Sequence, residues 1–216
     1  ASTVAGNAFY WVFITATLGA FFDSFGDGDT VLALVLSTAG VWFFHVLIAR
    51  GVRDAAVINR IVTIFKIIPI LVFIVVLIVN LDAGVFADNW TAYGYGDLGS
   101  LDEQVRNTMI ITTFVFIGIE GASVYSRYAR RREDVGKATV LGFLSVLSIF
   151  ALVTLSSYSV VTQPELADTR QPSMIGVFES VVGEWGEWFI SIAVIVSVLG
   201  AYLAWTLMAA EVMYVP

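Results

Sequence analysis

The 216-residue chain contains no cysteine, a single histidine and few charged side chains. Without cysteine, a disulfide framework, a thiolate metal site and a cysteine nucleophile are all excluded. His45 alone does not build a metal site that needs several imidazoles. The sequence also lacks a P-loop, a GxSxG turn and an HExxH zinc motif. These absences argue against an enzyme that makes or breaks covalent bonds, and we expect no cofactor and no bound metal.

Charged residues make up 13% of the chain, whereas soluble domains contain about 25%. Hydrophobic residues make up 58%, and the mean hydropathy is +0.87. Apolar runs such as residues 70–79, ILVFIVVLIV, do not alternate with polar residues as the strands of a membrane barrel do. The composition therefore predicts an all-α protein that crosses a membrane several times.

A helix needs about 20 apolar residues to cross about 30 Å of hydrocarbon. Six segments satisfy this requirement, at about residues 4–22, 31–49, 58–81, 106–124, 137–160 and 185–212. We interpret residues 1–216 as a single transmembrane domain. Because the chain begins inside an apolar stretch, we expect it to be a fragment of a longer protein.

The connecting segments differ in charge, and basic residues are concentrated in two alternate loops. Eight of the eleven Lys and Arg lie there: Arg50, Arg53, Arg60, Arg127, Arg130, Arg131, Arg132 and Lys137. The positive-inside rule places both loops in the cytoplasm, and the second could also bind anionic lipid headgroups. The segments 23–29, 82–103 and 163–188 are acidic and are expected to be outer loops. No basic surface suited to nucleic acid is present.

Ionisable residues inside membrane spans are functional candidates by default, because a buried charge is costly there. Lys66 precedes Pro69, whose missing N–H frees the carbonyl of Phe65 and predicts a kink. Its ammonium could extend to the interface as a structural residue. Alternatively, a desolvated lysine could release a proton or occupy a cation site.

Glu120 lies about midway along the fourth predicted span, between Gly118 and Gly121. It could be a structural carboxylate, or it could belong to a binding site. Glycine-interrupted membrane segments are typical of discontinuous helices, whose exposed backbone groups bind charged substrates. We therefore predict a helix break around residues 116–121.

Other polar and aromatic residues allow two interpretations each. Asn7 could cross-link two helices or line a polar cavity. Trp205 and Tyr202 could face lipid or form part of a wall that binds a cation. His45 is expected to be a packing residue.

Several of these segments resemble one known family. The stretch FVFIGIEGASV at 114–124, followed by SRYARRREDVGKATVLG at 126–142, resembles the sixth helix and following loop of the amino acid–polyamine–organocation transporters. The segments IFKIIPI at 64–70 and GAYLAWTLMAAE at 200–211 resemble their fifth and eighth helices. Within the family, the likeness is closest to basic amino acid antiporters of the arginine/ornithine type.

The resemblance implies a LeuT-like fold with an inverted five-helix repeat, of which this chain would supply helices three to eight. It also implies exchange of cationic amino acids, arginine/ornithine or lysine, across the bacterial inner membrane. The expected partners are the amino acid and the lipid bilayer, and a homodimer is left open. The family's first and second helices, and everything after the eighth, are absent from the sequence, so we expect it to hold only part of a pocket.

The resemblance also implies roles for individual residues. Asn7 would line the pocket for the substrate side chain, Phe114 would be an aromatic gate, and Trp205 a wall beside that side chain. Ile117 and Gly118 would offer freed backbone groups to the substrate amino group, Glu120 would be the acidic residue of the broken helix, and Lys66 would occupy a cation position used by sodium-coupled relatives. Phe114 stands where the family often has Trp, which removes an indole donor. Two alternatives to exchange stay open: a proton-coupled symporter that uses Lys66, and a non-transporting scaffold or gene remnant.

Overall fold

The computed structural model describes residues 2–50, 52–91, 100–116, 118, 129, 131–169 and 171–214. In this part of the chain the regular elements are α-helices and one short 3₁₀ helix, Asp23–Phe25. The α-helices are α1 (Ser2–Gly19), α2 (Val31–Arg50), α3 (Val52–Val79), α4 (Ala83–Thr91), α5 (Leu101–Val115), α6 (Arg132–Ser157), α7 (Gln163–Asp168), α8 (Ser173–Val182) and α9 (Glu184–Tyr214). The predicted all-α class is confirmed.

Four helices in the described residues are long and apolar enough to cross a membrane. They are α2 over Val31–Arg50, α3 over Ile61–Val79, α6 over Glu133–Ser157 and α9 over Glu184–Ala210. Helices α1 and α5 overlap the other two predicted spans, and the number of six crossings stays a prediction. Helix α3 continues through Pro69 as one element.

The chain divides into two compact units, one formed by Ala1–Val76 with Thr169–Pro216 and the other by Leu77–Asp168. In the first unit, α1 packs antiparallel against α9. Trp11 lies edge-on to Tyr202 with ring centroids 5.7 Å apart, and Phe21, near the other end, stacks on Trp188 at 4.0 Å. Trp11, Tyr202 and Ile14 form a buried cluster, so this interface is part of the core of the unit.

Helix α2 packs on α1 through two glycines that admit no side chain. The indole ring of Trp11 occupies the space that a Cβ at Gly40 would need. In the turn before α2, Gly28 has φ +85°, and a Cβ there would lie 2.7 Å from the carbonyl oxygen of Val12. The hydroxyl of Thr30 accepts a hydrogen bond from the backbone N–H of Ala33 and so caps α2. These contacts fix α2 beside α1.

Helix α8 is held by an aromatic cluster around Phe178, which is fully buried. Its ring stacks on Phe73 of α3 with centroids 5.7 Å apart and meets the edge of Trp185 at 5.8 Å. Each aromatic pair of this kind contributes about 0.5–1.5 kcal/mol beyond the area it buries. The cluster connects α3, α8 and α9 within the first unit.

In the second unit, Asn89 of α4 ties that helix to the turn after α6. Its Nδ2 donates to the carbonyl oxygens of Tyr158 and Val161, both at 2.8 Å, and its Oδ1 accepts from the backbone N–H of Gln163, also at 2.8 Å. The residue is 8% exposed. One side chain therefore satisfies three backbone groups of a turn more than 65 residues away in sequence.

Side-chain caps start the short helices of this unit. Asp82 Oδ1 accepts from the backbone N–H groups of Gly84 and Val85 at the start of α4. Glu165 Oε2 accepts from the hydroxyl of Thr162 at 2.7 Å and from its N–H at 3.1 Å, a capping arrangement that begins α7. The Thr162 hydroxyl, followed by its backbone N–H, holds the pKa of Glu165 below its ordinary value.

The prediction that 82–103 and 163–188 are loops is therefore wrong in part. Helix α4 and the first turn of α5 lie in the first segment, and α7, α8 and the start of α9 lie in the second. Asp82 accepts hydrogen bonds from N–H groups at the start of α4, and Asn89 accepts one from the N–H of Gln163 at the start of α7. Ile175, Val177 and Phe178 bury one side of α8. These helices are much shorter than the roughly 20 apolar residues required of a membrane span, so that criterion does not detect them.

Candidate functional site

Asn7 of α1 and Thr206 of α9 form a polar link inside an otherwise apolar interface. Nδ2 of Asn7 donates to Oγ1 of Thr206 at 3.0 Å, and that hydroxyl donates its proton to the carbonyl oxygen of Tyr202 at 2.7 Å. Because the Thr206 proton is committed to Tyr202, its oxygen is an acceptor for Asn7. The amide of Asn7 is therefore oriented, with its NH₂ group toward α9 and its Oδ1 directed elsewhere.

Two atoms on this face of α1 are buried without a partner among the described residues. They are Oδ1 of Asn7, an acceptor, and Nε1 of Trp11, a donor. Buried polar atoms are nearly always hydrogen-bonded, so an unpaired acceptor and an unpaired donor one turn apart are unusual. Of the two interpretations of Asn7, the helix cross-link is present, and the free Oδ1 leaves the second, a polar binding group, open.

Trp205 of α9 also takes part in the interface with α1. Its indole and the hydroxyl of Tyr10, on α1, are within hydrogen-bonding reach of each other. Both side chains are half-buried. Two of the predicted site residues, Asn7 and Trp205, thus each make a contact between α1 and α9.

Lys66 is half-buried on α3. Val62, one turn before it, occupies the space of a side chain at Gly200 of α9, and Phe73, two turns after it, packs on Phe178 of α8. Residues 62, 66 and 73 share one face of a helix with 3.6 residues per turn. Lys66 therefore lies on the stripe of α3 that faces protein, while the structural and functional interpretations of its charge both stay open.

Helix α5, in the second unit, ends at Val115. The backbone of Gly118 has φ +113°, which is outside the right-handed helical region and favours glycine. Residues 116 and 118 therefore lie outside α5, as the predicted break around 116–121 requires, while 117 and 119–121 are outside the described residues. The side chain of Phe114, and Ile117 and Glu120 as a whole, lie outside the described residues, so the roles predicted for them are carried forward as proposals.

A partly open cavity of about 230 Å³ lies in the first unit at the C-terminal end of α1. Its walls include Thr17 of α1, Gln171, Glu179 of α8 and Glu187 of α9. Two carboxylates from different helices beside one cavity create a negative local potential that attracts cations. The positive-inside rule predicts that this cavity opens on the outer side of the membrane.

His45 is exposed on α2 and lies edge-on to Trp42, with centroids 5.7 Å apart. Within the described ranges, His, Asp and Glu side chains form no group of three that could hold a metal ion.

The sequence did not single out Thr206, Tyr10 or Trp11 as partners of the predicted site residues. A signal was available, because Asn7 and Trp11 are four residues apart, as are Tyr202 and Thr206. Each pair therefore presents polar atoms to the same side of its helix. Only the antiparallel packing of α1 on α9 shows that the two sides face each other.

The chain is similar to known proteins over nearly its whole length. A family model described as amino acid permease matches residues 1–215. The arginine/ornithine antiporter of Pseudomonas aeruginosa is 48% identical over 210 residues, which cover 97% of this chain and 43% of that protein. The putative arginine/ornithine antiporter of Escherichia coli K12 is 46% identical over 214 residues, covering 97% of this chain and 46% of that protein.

The L-lysine transport protein of Corynebacterium glutamicum is 39% identical over 211 residues, covering 97% of this chain and 42% of that protein. The chain thus spans less than half the length of these curated relatives. No solved structure matches it.

Proposed function

Because the chain belongs to the amino acid permease family, we propose that it forms helices three to eight of a membrane exchanger for cationic amino acids. The relatives named as arginine/ornithine antiporters and as a lysine transport protein support this substrate class. The proposal concerns the full-length gene product, since the relatives are more than twice as long. We place that product in the bacterial inner membrane as a multi-pass protein, with the homodimer as an open assembly.

The observation that carries the proposal is the end of α5 at Val115, followed by the positive φ of Gly118. A helix that stops in this way leaves carbonyl groups without intrahelical partners. In transporters of this architecture such groups bind the charged ends of substrates, and the two halves of the protein rock around them. We assign the substrate amino group to the carbonyl groups at this end of the helix, near Ile117, and an acidic role beside it to Glu120.

For the substrate side chain, the proposal uses Asn7 and Trp205, with Phe114 as the gate. The fixed amide of Asn7 presents an acceptor, which suits the N–H groups of a guanidinium or ammonium. Trp205 adds an aromatic face of the kind that binds cations. The acceptor is available only while Thr206 holds the other end of the amide.

Exchange of radiolabelled arginine into ornithine-loaded proteoliposomes tests the proposal. We expect uptake that requires internal ornithine and ignores a pH gradient. Uptake that follows the pH gradient without internal ornithine would instead support a proton-coupled symporter. Complete absence of arginine transport by a correctly inserted protein would support the non-transporting scaffold.

The symporter is favoured by one observation, the placement of Lys66 on the protein-facing stripe of α3. A lysine there could bind and release a proton as the substrate site changes sides. Lys66→Met keeps the length of the side chain and removes the charge. In an exchanger this variant should still exchange arginine for ornithine, whereas in a symporter it should lose the response to pH.

Thr206 provides a matched test of the side-chain pocket. Thr206→Val keeps the shape of the side chain but removes the oxygen that holds Asn7, so the amide can rotate. We expect a rise in KM for arginine of about tenfold, the effect of losing about 1.4 kcal/mol. Thr206→Ser keeps the hydroxyl and should exchange like the unmodified protein. Equal KM values for the two variants would contradict the assignment of Asn7.

A further inference from the structure

One buried polar atom of α1 has no role in the proposed function. Nε1 of Trp11 is a buried donor, and Trp11 is 6% exposed. The neighbouring unpartnered atom, Oδ1 of Asn7, is an acceptor, so the two groups have complementary chemistry. They are nevertheless not bonded to each other in the structure. The cationic side chain of such a substrate offers only donors, so its binding beside Asn7 leaves the indole N–H unsatisfied.

The surroundings of Trp11 restrict where its N–H lies. The benzene edge of the indole, atoms Cη2, Cζ2 and Cζ3, packs against Gly40 of α2. The pyrrole ring and its N–H are consequently closer to α1 itself. Side chains on a helix lean toward its N-terminus, which for Trp11 means over the turn that carries Asn7. Asn7 and Trp11 are four residues apart, and side chains at this spacing are neighbours on one face of a helix, so one water molecule can bridge their polar ends.

We propose that Asn7 and Trp11 hold one buried water molecule between them. The water accepts a hydrogen bond from Nε1 of Trp11 and donates one to Oδ1 of Asn7. This arrangement satisfies both orphan atoms, each of which would otherwise be a costly unpaired group. A buried water usually makes two to four hydrogen bonds, so this one keeps a lone pair for a further donor.

The water also has a functional consequence, and this half of the inference rests on the proposed function. Its remaining lone pair extends the acceptor surface of Asn7 toward the N–H groups of a cationic side chain. Trp11 does not touch the substrate in this scheme. It is a positioning residue that acts through the water, and its N–H rather than its ring is the group that matters.

Nuclear magnetic resonance of the full-length gene product in nanodiscs tests the hydration site directly. With ¹⁵N-labelled indole nitrogens, Trp11→Phe assigns the Nε1–H signal of Trp11. We expect a rotating-frame Overhauser peak from that proton to the water frequency, opposite in sign to a chemical-exchange peak. Asn7→Leu, which removes the acceptor, should abolish the peak. Its absence from the unmodified protein would overturn the proposal, as would its persistence in Asn7→Leu.

Transport kinetics test the functional half. Replacing Trp11 with β-(3-benzothienyl)alanine keeps the fused ring and exchanges N–H for sulfur. We expect the KM for arginine to rise about 3- to 10-fold with kcat within about twofold, the size of one lost hydrogen bond. Trp185→Phe, at an exposed position on α9, is the matched control and should leave both constants unchanged. An unchanged KM in the sulfur analogue, or a loss confined to kcat, would refute a positioning role.

Together, the NMR and transport measurements distinguish a wrong hydration site from a wrong proposed function. If the unmodified protein exchanges arginine but shows no water peak, the hydration site is wrong and the proposed function stands. If the water peak is present and no transport occurs, the hydration site stands and the proposed function is wrong.

Discussion

Asn89 is predicted to be the most sensitive polar residue of the second unit. Replacing it with leucine keeps the approximate volume but removes two donors and one acceptor, leaving the carbonyls of Tyr158 and Val161 and the N–H of Gln163 without their partner. A typical hydrogen bond contributes about 0.5–1.5 kcal/mol net, so the loss of three amounts to about 2–4 kcal/mol. The effect should be concentrated in α4 and in the turn that joins α6 to α7.

Hydrogen exchange read by mass spectrometry, together with thermal unfolding in detergent, measures this loss. We expect faster exchange in peptides that cover residues 83–91 and 158–166, and a lower melting temperature. Asn107→Ala, at an exposed position on α5, is the control and should change neither. Asn89→Asp keeps the acceptor for Gln163 but loses both donors, and should be as destabilising as leucine at neutral pH.

The aspartate variant also predicts the direction in which stability changes with pH. Beside two carbonyl oxygens a carboxylate is disfavoured, so its folded-state pKa should rise above about 3.9. Protonation restores a donor. The variant should therefore regain stability as the pH falls through its raised folded-state pKa and lose stability as the pH rises through it. Unchanged exchange in the leucine variant, or an aspartate variant as stable as the unmodified protein at pH 7, would refute the account of this turn.

Four further predictions concern separate positions. Gly40→Ala places a Cβ against the ring of Trp11 and should destabilise the first unit by about 1–3 kcal/mol. The double variant with Trp11→Phe should recover part of this loss, which a double-mutant cycle by chemical unfolding measures. Gly118→Ala introduces a Cβ at φ +113° and should cost about 1–3 kcal/mol and lower arginine exchange, whereas Gly136→Ala, which meets open space, should do neither. Glu120→Gln should preserve membrane insertion and reduce exchange, and unmodified rates would return Glu120 to a structural role. Because Thr162 depresses the pKa of Glu165, the stabilising contribution of this carboxylate is present above its unfolded pKa and fades as the pH falls through the folded pKa. Thr162→Ala should raise the pKa of Glu165 in a carboxyl ¹³C titration. An unshifted titration would contradict the cap.

The parts of the fold that the sequence predicted well are those set by length and hydropathy. Helices α2, α3, α6 and α9 contain apolar stretches that alone meet the requirement of a bilayer, and the break near Gly118 follows from glycine chemistry. Helices α4, α7 and α8 escaped prediction because local caps and the burial of a few apolar residues stabilise them. The T-x-x-E pattern at Thr162–Glu165 is a readable capping signal and would have located α7.

In the candidate site, too, single residues could be predicted from the sequence, whereas the contacts between them could not. Asn7 and Trp205 are predicted by polarity, aromatic character and family likeness, all of which are properties of single positions. The bond from Asn7 to Thr206, and the orientation it gives the amide, depend on how α1 meets α9. Neighbouring residues on two helices distant in sequence are determined by packing, so a pattern within one helix does not reveal them.

The indole of Trp11 seated on Gly40 limits how two helices can move. The ring fills the place of a side chain at Gly40 and so locks α1 to α2. Sliding by one turn, about 5.4 Å, would drive it into the side chain of a residue four positions away, such as Leu36 or Phe44. During any change of access from one side of the membrane to the other, α1 and α2 should therefore travel as one rigid pair. Spin labels placed on these two helices would keep a constant separation through the transport cycle.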